Sequence, residues 1–374
     1  MKVILAPDSF KGSLTAIEAA RAMARGVQEA IPTSHTILLP AADGGEGTMR
    51  SLVDATNGTY TSVTVEDPLG RPIVATYGIL GDKETCVIEI AEASGLTRLV
   101  DDEKDPLRAS SYGTGELIAH AIESGYRKFI IGLGGSATND GGSGILQALG
   151  MRLLDEQGRD LSKGGGALKD LYSIDDTDWD GRIRDSAFLI ASDVKNPFVG
   201  QNGASYVFGP QKGATSSVVE ELDRNLSLFA DVIKSERGIA LHCKEGAGAA
   251  GGAGGVFQAF FNGEMKQGID VVLDAIAFHE AVEDADLVIT GEGKTDRQTL
   301  SGKTPFGIAK AAQRKGKPVI LISGAVDEES RETLYPFFKE VHGIMDDGIS
   351  VEEAVANAFY YLKEKTRKVM ESYS

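Results

Sequence analysis

"KVILAPDSFKGSLTAIEAARAMARGVQEAIPTSHTILLP", residues 2–40, decides the fold class. "KVILAP" (2–7) is a short apolar run of the kind that forms a strand buried on both faces. "SLTAIEAARAMARGVQEAI" (13–31) carries apolar residues at helical spacing, with Ser13 or Thr15 placed to cap it, and "SHTILLP" (34–40) returns to a strand pattern. Strand, helix and strand in this order make a βαβ unit, whose crossover lays both strands parallel.

Working outward, similar short runs recur at "RKFIIGLG" (127–134), "ADLVITGEG" (285–293), "KPVILISG" (317–324) and "VHGIMD" (341–346). Helical segments such as "PFGIAKAAQRKG" (305–316) and "VEEAVANAFYYLKEKTRKVM" (351–370) follow most of them. Between these pieces, "YTSVTVEDPLGRPIVATYGIL" (60–80) and "TCVIEIAEASGL" (85–96) alternate like antiparallel or mixed strands, and residues 215–235 read as one amphipathic helix. The predicted fold class is α/β: a doubly wound, mostly parallel sheet domain with an inserted second α/β domain of mixed sheet. Residues 1–56, 112–148 and 280–374 are assigned to the first domain and 57–111 and 149–279 to the insertion, with the boundary in 245–279 left open.

The chain has 374 residues, enough for two domains that each bury a core. Its 38 Lys and Arg against 55 Asp and Glu give a formal charge of -17, which disfavours nucleic acid and anionic membranes as partners. No apolar run is long enough for a bilayer span, and Cys86 and Cys243 form no C-x-x-C pair, so the expectation is a cytoplasmic protein without thiol chemistry. The oligomeric state is left open.

Four polar, glycine-rich clusters fall where strands turn into helices, the edge at which open α/β sheets take ligands. They are "PDSFKGS" (7–13), "PAADGGEGT" (40–48), "GLGGSATNDGG" (132–142) and "GEGKTDRQT" (291–299). Asp43, Glu46, Glu292 and Asp296 raise one another's proton affinity unless a cation neutralises them, so they point to a hard metal ion or an acid–base role, against a plain role as helix caps. The backbone from Gly134 to Gly144 is a candidate phosphate cradle, with Gly134, Gly135, Gly141 and Gly142 exposing N–H groups and Ser136, Thr138 and Asn139 adding side-chain bonds. The competing reading is a turn that lets strand and helix pack closely. In "ASDVKNPFVGQNGASYVFGPQKGAT" (191–215), Asp193 is a candidate general base or metal ligand, against a role in an Asx turn; Lys212 or Lys195 is placed to offset phosphate charge.

Two named motifs fit poorly. "TLSGKTP" (299–305) has the tail of a P-loop, but Arg297 stands where its leading glycine belongs. "GAGAAG" (246–251) matches the dinucleotide pattern G-x-G-x-x-G without a convincing strand before it, and keeps an NAD-dependent oxidoreductase as one alternative. A nonenzymatic ligand-binding module is another.

Six segments in order, "APDSFKGSLTA", "PAADGGEGT", "GLGGSATNDGG", "DVKNPFVGQNGASYVFGPQKGAT", "GAGAAGG" and "GEGKTDRQTLSGKTPFG", resemble the bacterial glycerate kinase family, type 1, over almost the whole chain. The resemblance implies ATP-dependent phosphorylation of D-glycerate to 2-phosphoglycerate, Mg2+ as cofactor and a site between two α/β domains. A kinase forming 3-phosphoglycerate, or acting on another small hydroxy acid, stays open. Within this resemblance Asp193, Lys11 and Asp296 are the expected catalytic residues, and Asp8, Ser9 and Arg71 the substrate-binding ones. Asp43, Glu46 and Glu292 are expected to hold the metal, and the Gly134–Gly142 loop to hold ATP.

Overall fold

The computed structural model describes residues 1–45 and 47–373. The chain divides into two compact units: Met1–Asp43, Arg50–Asn57 and Gly268–Ser374 form one, and Gly44–Met49 with Gly58–Gln267 the other.

The first unit is built on five parallel strands in the order Glu340–Gly343, Val319–Ser323, Leu287–Thr290, Lys2–Leu5, His35–Leu38. Alternate residues serve opposite faces of this sheet. Val3, Leu5, Leu287, Ile289, Ile320 and Ile322 join one core with helices Ala16–Ala30 and Ala358–Met370. Ile4, Val288 and Leu321, one step out of phase, are equally buried, and helix Thr304–Arg314 packs on Leu287–Thr290 and Val319–Ser323. Helices on both faces make the sheet doubly wound.

The helix after the first strand begins at a capping box. Glu18 N–H donates to Thr15 Oγ1 at 3.3 Å, and Thr15 N–H donates to Glu18 Oε2 at 2.9 Å. Of the two caps the sequence offered, Thr15 is the one used.

The second unit carries six strands in the order Glu264–Lys266, Ala187–Ala191, Lys128–Gly132, Thr85–Glu89, Pro72–Ile79, Thr59–Glu66. The first four run parallel and the last two antiparallel, so the sheet is mixed. Phe129 stacks on Phe188 with ring centroids 4.7 Å apart inside its core, and helix Ser216–Arg237 adds Leu226, Phe229 and Ile233.

Two features depart from the sequence reading. Residues 112–148 belong to the second unit: Lys128–Gly132 lies between Thr85–Glu89 and Ala187–Ala191, and Phe129 and Ile131 enter that core. Within 245–279, where the boundary was left open, residues 268–279 fall in the first unit, and Ile269 fills the space that a side chain at Gly307 would take. A buried parallel strand has the same pattern in either sheet, so periodicity finds the strand without naming its neighbours. The segment 351–370 is two helices, Val351–Ala356 and Ala358–Met370, broken at Asn357 (φ −122°, ψ 31°). Among the described residues, no helix is long and apolar enough to cross a membrane.

Candidate active site

Because the five strands of the first unit are parallel, their carboxyl ends share one edge. Asp8 follows Lys2–Leu5, Asp43 follows His35–Leu38, and Glu292 follows Leu287–Thr290. Gly324 and Ala325 follow Val319–Ser323, and Ile344 and Met345 follow Glu340–Gly343. These residues, with Ser9, Lys11, Asp296 and Lys303, line a cleft of about 460 Å3. The strand order reverses between Lys2–Leu5 and Leu287–Thr290, and Asp8 and Glu292 come from the two strands at that switch.

Asp8 Oδ1 accepts from Ser9 N–H at 2.6 Å and Oδ2 from the Thr304 hydroxyl at 2.5 Å. Burial pushes the Asp8 carboxyl up to about 6 against the pull of Thr304, and the charges of Asp43 and Glu292 add to the rise. Glu292 is buried too, and its pKa is raised chiefly for that reason. Its Oε1 accepts from the hydroxyls of Thr299 (2.6 Å) and Thr295 (3.0 Å), while Oε2 lies 3.6 Å from Lys303 Nζ. Asp296 also lies 3.6 Å from Lys303, and its Oδ1 accepts from Gln298 N–H to cap the turn Arg297–Ser301.

Carboxylates held this way favour a cation beside them. Their oxygens are hard donors suited to Mg2+, which characteristically takes one or two carboxylates and leaves other positions to phosphate oxygens and water. Among the described residues, no three His, Cys, Asp or Glu side chains are grouped so that they could hold a metal ion.

The glycine-rich loop of the second unit is built differently. It leaves the strand Lys128–Gly132 and enters the short helix Ser143–Ala148, but the N–H groups at that entrance are already bound. Fully buried Asp140 accepts from Gly142 N–H (3.0 Å), Gly144 N–H (3.3 Å), and the N–H and hydroxyl of Ser111 (both 2.8 Å). Ser111 Oγ in turn accepts from Ile145 N–H at 3.2 Å. The glycines serve close packing: a Cβ on Gly141 would meet Phe229 at 2.9 Å, and one on Gly142 would meet Ala253 at 3.0 Å. Thr138 and Asn139 are fully buried.

Lys212 closes the loop from beneath. It is buried, and its Nζ donates to Thr138 O at 2.6 Å and Ser136 Oγ at 2.8 Å. Burial pushes its ammonium down to about 7, with the Asp140 charge pulling the other way. "GAGAAG" packs on the same loop: Gly251 O accepts from Gly141 N–H at 2.9 Å, and the element before it among the described residues is helix Ser216–Arg237, not a strand. This is not the strand–turn–helix that a dinucleotide pyrophosphate requires.

The glycerate kinase family model matches residues 3–374. The chain belongs to the glycerate kinase family. A glycerate kinase of Bacillus subtilis (strain 168) is 48% identical over 372 residues, covering 100% of this chain and 97% of the relative. A glycerate 2-kinase of Escherichia coli (strain K12) is 43% identical over 369 residues, covering 99% and 97%. A crystal structure from Salmonella typhimurium LT2, assigned provisionally as glycerate kinase 2, matches with TM-score 0.90 and 43% identity over 100% of this chain and 98% of the other.

Against this family background the expected residues separate into groups. Asp8, Ser9, Lys11, Asp43, Glu292 and Asp296 come together in the first unit. Gly134, Gly135, Ser136, Thr138, Asn139, Gly141 and Gly142 form the second unit's loop, whose entrance to the helix is closed by Asp140. Asp193 is exposed, just beyond the strand Ala187–Ala191. Arg71 is exposed too, with its guanidinium held by Asp67 (2.5 Å) and Glu103 (2.6 Å). Glu46 lies outside the described residues.

Sequence reasoning passed over Lys303, Thr304 and Glu89. The first two belong to "SGKTP", set aside for lacking a P-loop's leading glycine, although its Lys and Thr still reach Glu292 and Asp8. Glu89 ends a strand of the second unit and accepts from Met49 N–H at 2.7 Å and Gly47 N–H at 3.3 Å, which ties down the backbone at Gly47–Met49. Its signal was the acidic end of "TCVIE".

Proposed function

We propose that this chain transfers the γ-phosphoryl group of ATP to the 2-hydroxyl of D-glycerate, with Mg2+, giving 2-phosphoglycerate and ADP. The observation that carries the reading is the meeting of Asp8, Asp43 and Glu292 with Lys11 and Lys303 in one cleft at the switch point of a doubly wound sheet. Phosphoryl transfer asks for alignment and charge neutralisation more than for covalent chemistry, and this set of charges suits that demand. Family membership supports glycerate as acceptor, and the 43% identity to a protein named glycerate 2-kinase supports the 2-position.

Asp43 and Glu292 are the residues we assign to Mg2+, which when bound supplies positive charge to the phosphate oxygens. Lys303, approaching both Glu292 and Asp296, is poised to neutralise a terminal phosphate, and Lys11 offers a second charge at the same cleft. Asp8, fixed by Thr304 and Ser9 N–H, orients the cationic side of the site. Asp193 is assigned to the acceptor: as the bond from the glycerate oxygen to phosphorus forms and the bond to ADP breaks, it takes the hydroxyl proton.

Phosphorus NMR of purified protein with ATP, Mg2+ and D-glycerate tests the reading. A new phosphomonoester signal coinciding with added 2-phosphoglycerate is expected. Coincidence with 3-phosphoglycerate overturns the position, and absence of product from folded protein overturns the acceptor. Asp193→Asn is expected to lower kcat by about 10²–10⁴-fold, the usual contribution of a general base, without changing the thermal midpoint; turnover near that of the unmutated protein removes Asp193 as base.

A further inference from the structure

We propose that the apolar half of the first unit's cleft seats the nucleotide base, holding it by contact and not by hydrogen bonds to its edge. The inference rests on the kinase reading above and extends it to nucleotide recognition.

The polarity of the cleft follows strand order. Asp43, Asp8 and Glu292 come from three adjacent strands at one side of the sheet. At the far edge, after Glu340–Gly343, the lining turns to Ile344 and Met345, continued by Val351, Ala354 and Val355 of the next helix. Helix Val351–Ala356 buries none of its residues fully, and Val351 and Val355, one helical turn apart, are 55% and 45% exposed. Two valines beside a charged cleft, unabsorbed by the core, provide an apolar wall.

Size and chemistry select the occupant. D-glycerate is small and polar, with no surface for such a wall, whereas a cleft of about 460 Å3 lies in the range of about 300–1,000 Å3 that accommodates drug-sized ligands. A nucleoside triphosphate matches both ends: a flat, weakly polar ring for the valines and methionine, and an anionic tail for Lys303 and Lys11. The Gly134–Gly142 loop has less to offer that tail, because Asp140 already holds the N–H groups at its helix entrance.

The wall also predicts selectivity. Ile344, Met345, Val351, Ala354 and Val355 carry no strong hydrogen-bonding group in their side chains. The nearby backbone N–H groups are taken: Gly324 donates to Glu292 O, Ala325 to Gly293 O and Met345 to Gly324 O, each at 3.1 Å. A base edge bound here has few partners that would separate adenine from guanine, and sites lacking such partners discriminate weakly.

The test is a fluorescence titration of full-length protein with N-methylanthraniloyl-ATP and Mg2+, alongside steady-state kinetics. In V351S/V355S, whose positions are already solvent-exposed, nucleotide affinity is expected to fall about tenfold from lost apolar contact, with KM for D-glycerate and the thermal midpoint unchanged. In the unmutated protein, kcat/KM for GTP is expected within about tenfold of that for ATP. Equal nucleotide binding by V351S/V355S, or no nucleotide binding by the unmutated protein, overturns the seat. A GTP penalty beyond about a hundredfold overturns recognition by contact alone. Nucleotide binding that responds to the valines, without phosphoryl transfer to glycerate, upholds the seat and refutes the kinase reading instead.

Discussion

The first unit's cleft and the second unit's glycine loop both follow the carboxyl ends of parallel strands, and both were candidates for phosphate from their composition. They handle charge in opposite ways. In the cleft, Asp8 and Glu292 are desolvated and repel one another, with Lys303 no closer than 3.6 Å to a carboxylate oxygen. In the loop, Asp140 receives four hydrogen bonds and Lys212 donates two at 2.6 and 2.8 Å. The first set of charges lines a cleft; the second is enclosed, anion and cation together. Glycine content therefore does not distinguish a ligand cradle from a packing device. What distinguishes them is whether the charges are enclosed or line a cleft, since Asp8 and Glu292 also accept hydrogen bonds within the protein.

The strongest way to break this contrast is to alter one charge in the cleft. Asp8→Asn is expected to lower kcat about 10²–10³-fold, as for loss of a preorganised electrostatic group, while the thermal midpoint holds or rises because a desolvated carboxylate has gone. Steady-state kinetics with a thermal melt would check this, and a lowered midpoint with normal turnover would reverse the assignment. A backbone change in the "GAGAAG" segment packed on the loop should do the opposite. Gly251 has φ +65°, and a Cβ there would lie 1.9 Å from Thr138 O, so Gly251→Ala is expected to cost about 1–3 kcal/mol or more by denaturant titration. A variant as stable as the parent would mean the loop tolerates rearrangement.

Lys212 sharpens the contrast through pH. Its folded-state pKa of about 7 lies below the ordinary 10.5, so between these values the unfolded chain binds the extra proton and stability rises with pH. The stability of the parent relative to Lys212→Met should therefore increase from about pH 7 towards pH 10, measured by denaturant titration at each pH. A constant difference would show that the amine titrates normally. The smallest effect is expected at Arg71, whose exposed guanidinium already has two carboxylate partners. Arg71→Ala should leave KM for D-glycerate within about twofold, since the guanidinium is already held by Asp67 and Glu103; a tenfold rise would assign Arg71 to the substrate.

Much of this was legible in local patterns. Residues 2–40 announce strand, capped helix and strand through spacing alone, and helix Ser216–Arg237 follows from its amphipathic run. Asp8, Asp43, Glu292 and Asp296 were legible as a group because each follows a strand, and parallel strands share an edge. The partition of residues 112–148 was not legible, because an apolar run such as "KFIIG" satisfies the same burial in either sheet. Nor was the break at Asn357, since the helical period continues across it in sequence.

The sequence by itself determined the α/β class, the capped crossover helix, the family and the set of acidic residues at strand ends, because these depend on short-range periodicity and on residue order. Only the tertiary structure decided which sheet each strand joins, that Lys303 and Thr304 reach Glu292 and Asp8, and that Asp140 and Lys212 fill the loop from within. Hydrogen-bond partners distant in sequence leave no periodic trace, and burial of a charge is set by what packs around it.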